Sequence, residues 1–68
     1  MYYVLKIKGT DKIPNFVQIR DEKMSLIAYF RLDQVKKGVE RNKIKIDSEK
    51  LKIILEKINF GKIEKIEI

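Results

Sequence analysis

Hydrophobic and polar positions alternate along the first half of the chain. From Tyr2 to Lys8, the residues Tyr3, Leu5 and Ile7 fall on one side, and Tyr2, Val4, Lys6 and Lys8 on the other. Period two with β-branched and aromatic residues predicts a strand. Gly9-Thr10-Asp11-Lys12 is turn chemistry, and Pro14 favours an extended backbone at Ile13. Phe16 to Arg20 reads as a second strand with Val17 and Ile19 on one face. After the polar break Asp21-Glu22-Lys23, alternation resumes from Met24 to Leu32, which predicts a hairpin. The competing reading is one long helix capped by Asp21 and running to Glu40, since Leu26 to Phe30 is a contiguous apolar run. Five unbroken alternate apolar positions favour the strand.

The second half changes period. Asp33 is a candidate cap for a short helix with Leu32, Val35 and Val39 at helical spacing, weakened by Gly38. Ile44 and Ile46 alternate with lysines and predict a short extended piece. Asp47 caps a helix from Ser48 to about Asn59. Its stripe is Leu51, Ile54, Leu55 and Ile58, with Glu49 in the first turn and Lys57 in the last. Gly61 suits a positive φ beyond its end. Lys62 to Ile68 alternates imperfectly, with Ile66 and Ile68 on one face, and its charges suit an edge strand.

The predicted order is β-β-β-α-(β)-α-β. It describes one small α+β domain, a mainly antiparallel sheet with helices packed on one face. The expected core is Leu5, Ile7, Val17, Ile19, Leu26, Ala28, Phe30, Leu51, Ile54, Leu55, Ile58 and Ile66. Which face of the first strand turns inward stays open, because both carry apolar residues.

At 68 residues the chain buries a thin core and has no cysteine with which to staple it. Oligomerisation is one remaining source of support. No stretch is apolar for long enough to span a membrane, and Lys6 interrupts any signal-peptide core. The expectation is a soluble, cytoplasmic protein.

Charge sharpens the choice of partner. The net charge is +6, which suits nucleic acid or another anion. Composition offers a rival explanation, since thirteen lysines and twelve isoleucines also follow from AT-rich codons or a thermophile's surface. The segment Lys36 to Lys45 holds Lys36, Lys37, Arg41, Lys43 and Lys45 against the single acid Glu40. On a helix Lys37 and Arg41 share a face. Tyr2, Tyr29, Lys6, Lys8 and Arg31 are candidates for the sheet face away from the helices, where rings among cations would stack bases. The plainer reading is solvated lysines and packed tyrosines.

Catalytic chemistry is sparse. Histidine and cysteine are absent, which removes the usual base near neutral pH and the strongest nucleophile. Thr10, Ser25 and Ser48 have no base expected beside them. Asp33 and Asp47 read as caps, and no calcium, zinc or phosphate-loop motif is present. No cofactor, metal or small-molecule substrate is expected.

Three functions follow as expectations. The first is a small non-catalytic accessory or regulatory protein acting through protein–protein contacts as a homodimer, with an interface of Tyr2, Val4, Ile27, Tyr29 and Ile63. The second is a nucleic-acid-binding module built on the Lys36 to Lys45 patch, with Tyr2 and Tyr29. The third, more remote, is a metal-assisted phosphodiesterase on Asp21 and Glu22.

Overall fold

A computed structural model describes residues 1–67. Four strands and two helices follow one another: β1 (Tyr2–Ile7), β2 (Phe16–Arg20), β3 (Leu26–Arg31), α1 (Val35–Arg41), α2 (Ser48–Lys57) and β4 (Glu64–Ile66). The sheet order is β3-β2-β1-β4, antiparallel throughout, and both helices cover one face. The fold class is the predicted one, and residues 22 to 40 do not form a single helix. Ile44 to Ile46 pairs with no strand among the described residues. Its isoleucines instead turn toward the core, Ile46 buried in it and Ile44 packed against it. Of the predicted last strand only Glu64–Ile66 pairs, against β1, and Ile68 lies outside the described residues.

The core is Val4, Val17, Ile19, Ala28, Phe30, Val35, Val39, Ile46, Leu51, Leu55 and Ile66, with Ile54 and Ile58 packed against it. β1 is reversed relative to the expected core. Val4 is fully buried and Lys6 is only 6% exposed, while Leu5 and Ile7 lie on the uncovered face. Register forces this, because Val4 pairs with Ile19 and Lys6 with Val17, both inward residues. Lys6 is tolerated there because α2 ends above it. Its Nζ donates to the carbonyls of Leu55 at 2.6 Å and Ile58 at 3.1 Å, and sits 4.3 Å over the Phe60 ring. A strand lysine thus satisfies the orphan carbonyls of a helix end.

Leu26 also leaves the expected core, at 50% exposed. The ladder slips between Ile19 and Arg20, so Arg20 faces Leu26 and Ile27 is the extra residue of a bulge. That slip moves Leu26 out of alternation with Ala28.

Local chemistry sets the ends of the elements. Asp47 caps α2, its side chain accepting from the Glu49 N–H at 2.9 Å. Asp33 caps nothing, because Leu32–Gln34 forms a single 3₁₀ turn and α1 begins only at Val35. α1 closes in a Schellman motif: Ile44 N–H donates to Val39 C=O and Lys43 N–H to Glu40 C=O, with Lys43 at φ 53°. Gly38 is buried and faces the Phe30 ring, which a Cβ at that position would overlap.

Candidate nucleic-acid interface

The face of the sheet opposite the helices has no cover. Its strand positions are Tyr3, Leu5 and Ile7 from β1, Phe16, Gln18 and Arg20 from β2, Leu26, Ile27, Tyr29 and Arg31 from β3, and Lys65 from β4. None is a carboxylate. Alternation places all but Ile27 there, since each of the others pairs with a residue of the same face, and Ile27 is the unpaired residue of the bulge.

Phe16 and Tyr29 are diagonal neighbours across β2 and β3. Their rings stack with centroids 4.9 Å apart and planes 24° from parallel. Arg31 stands directly opposite Phe16. Arg20 is held by neutral acceptors, the Gln18 Oε1 and the Met24 carbonyl, each at 3.0 Å. Arg31 forks onto Asp33 through Nε at 3.0 Å and Nη2 at 2.7 Å. Both partners are well exposed, so water screens this pair and an incoming anion can compete for Arg31.

α1 runs beside the outer edge of β3. Between them lies a groove of about 200 Å³ whose lining includes Phe16, Tyr29, Arg31, Gln34, Lys37 and Arg41. Lys37 and Arg41 share one helix face, as their spacing predicts. The structure therefore brings together Tyr29, Arg31, Lys37 and Arg41, which the sequence assigns to two separate candidate surfaces.

Other candidates fall elsewhere. Lys6 is buried under α2 and cannot reach the open face. Val4 is buried in the core, which removes it from the expected interface. Tyr2 packs against that core and pairs with Ile66. Lys8 is exposed just past β1, and Lys36 lines a different cleft with Asp33 and Lys52. Lys43 and Lys45 are exposed in the loop after α1 and do not line the groove. Ile27 remains on the open face at 36% exposed, and Ile63 is exposed just before β4.

Phe16 belongs to this site although sequence reasoning did not single it out. Its signal was present, since inward Val17 and Ile19 put Phe16, Gln18 and Arg20 together on the other side. Asp21 plays a structural part, in which its Oδ1 accepts from the N–H groups of Lys23 and Ser25 and builds the β2–β3 turn. Glu22 is exposed beside it. Among the described residues no three carboxylates gather where a metal would bind. No helix among them is long and apolar enough to cross a membrane.

No family model matches the chain, and no curated protein or solved structure matches it either. The side-chain chemistry of the molecule therefore carries the functional argument.

Proposed function

We propose that this chain is a non-catalytic binding module for nucleic acid, working through the open sheet face and the groove beside β3. One observation carries the reading. A stacked aromatic pair, Phe16 and Tyr29, lines one groove with Arg31, Lys37 and Arg41, with Asp33 the one carboxylate bonded to any of them among the described residues. Cations neutralise phosphates and release counterions, and rings offer flat surfaces to bases. The net charge of +6 adds long-range attraction for a polyanion. A cysteine-free chain suits the reducing cytoplasm, where such ligands are met.

Electrophoretic mobility of mixed RNA and DNA with the intact protein tests the proposal. With three to four phosphates contacted, affinity falls roughly 40- to 150-fold for a duplex and roughly 20- to 50-fold for a single strand between about 50 and 200 mM salt. Unshifted nucleic acid at the lower salt would remove the reading.

A protein partner, including a second copy in a homodimer, is supported by a different observation. Met24, Leu26 and Ile27 are exposed at 39, 50 and 36% at the hairpin end of β3, and adjacent exposed apolar residues favour an interface. Sedimentation across micromolar concentrations separates the two, since self-association raises the apparent mass without any nucleic acid.

A further inference from the structure

We infer that the bound nucleic acid is single-stranded, with one base stacked on the outer face of Tyr29 at the edge of β3 and its flanking phosphates on Lys37 and Arg41. This deepens the nucleic-acid reading and rests on it.

The geometry of β3 supports it. β3 is the last strand of the sheet, so the Phe16–Tyr29 stack has no neighbouring strand beyond Tyr29. Tyr29 is 51% exposed. One side of its ring is taken by Phe16, and continuing the stack requires a flat group from outside. The groove lined by Arg31, Lys37 and Arg41 opens at this point.

The backbone adds polar groups. Leu32 N–H donates to Asn15 C=O at 2.9 Å, and inward bonding alternates along an antiparallel ladder. Phe30 and Ala28 therefore exchange bonds with β2, while Tyr29 and Arg31 turn their N–H and C=O groups to the free edge. Donors and acceptors thus stand beside the open ring, as a base edge requires. A cation beyond the ring suits the phosphate attached to that base.

A duplex cannot use this arrangement without disruption. Its base faces are closed within its own stack, and extruding a base costs unstacking. A single strand offers its faces freely. An acidic extended peptide could also pair with such an edge, but pairing alone makes no use of the ring stack.

Fluorescence anisotropy of the intact protein with a labelled single strand of about ten nucleotides, and with its duplex, tests the inference at about 50 mM salt. The single strand is expected to bind at least roughly tenfold more tightly. Tyr29→Ala is expected to weaken single-strand binding roughly tenfold and duplex binding much less, while Tyr29→Phe retains the affinity. Lys37→Gln with Arg41→Gln should weaken both and flatten the salt dependence.

Equal affinity for both forms, or an unaffected Tyr29→Ala variant, overturns the single-strand inference while leaving nucleic-acid binding in place. No binding of either form overturns the underlying reading as well. Binding of a polyglutamate peptide but of neither oligonucleotide would assign the β3 edge to a protein strand. Because Tyr29 also stacks on Phe16, Tyr29→Ala is expected to lower the urea midpoint modestly, and an unchanged far-ultraviolet circular dichroism spectrum under the binding conditions shows that its fold is intact.

Discussion

The Lys6 ammonium donates to the Leu55 carbonyl at 2.6 Å, joining the central strand to the end of the helix 49 residues later in the chain. Leu55 is itself in the core, and the same ammonium reaches Ile58. This contact ties β1 to the end of α2 and lets the inward face that the β1–β2 register sets carry a lysine.

Lys6→Met keeps the stem length and removes the donors. It leaves the Leu55 and Ile58 carbonyls unsatisfied, which costs about 1–3 kcal/mol for a buried acceptor. The urea midpoint should fall accordingly. An unchanged midpoint would mean that water replaces the ammonium at no penalty.

Gly38→Ala sets two effects against each other. Alanine raises helix propensity by about 1 kcal/mol over glycine. The added Cβ overlaps the buried Phe30 ring, and overpacking costs about 1–3 kcal/mol. Net destabilisation is expected, measured as a lower thermal midpoint. Recovery in Gly38→Ala combined with Phe30→Leu would identify the ring as the cause.

Lys43 and Met24 hold φ values of 53° and 65°. A left-handed backbone strains a side-chain-bearing residue by about 1 kcal/mol. Lys43→Gly and Met24→Gly should each raise the denaturation midpoint. Lys45→Gly, at a residue without positive φ, serves as the control and should give no gain.

Asp47→Ala removes the side-chain acceptor of the Glu49 N–H. Loss of an N-cap costs about 1 kcal/mol. Far-ultraviolet circular dichroism followed through thermal unfolding should report the shift. Asp47→Asn, which retains an acceptor, should lose much less.

Arg41→Gln tests the charge side of the proposed site. Removing one phosphate contact should reduce the slope of log affinity against log salt by about 1. Lys45→Gln, outside the groove, should alter the slope less.

Much of the architecture was legible in the residues. Alternation marked β2, as it marked β1 and β3, because a strand shows its faces every second residue. The Leu51, Leu55 stripe and the Asp47 cap marked α2, because both depend on neighbours within two turns. Lys37 and Arg41 share a face for the same local reason. Other features depended on distant partners. Asp33 looked like a cap, yet Arg31 takes its carboxylate and the chain delays the helix by a 3₁₀ turn. Leu26 looked buried until a bulge displaced it.

Local periodicity by itself determined that β1 is a strand, since that depends on side chains alternating about one backbone. It could not determine which side turns inward, because Tyr3-Leu5-Ile7 and Tyr2-Val4 are both apolar enough. Tertiary structure decided it through the pairing of Val4 with Ile19 and Lys6 with Val17, and by bringing the carbonyl end of α2 over Lys6, so that the buried ammonium met two acceptors and a ring. The same turn of β1 put Leu5 and Ile7 on the face that carries Phe16 and Tyr29. Long-range packing, which no short window of residues encodes, thereby set the composition of the exposed face.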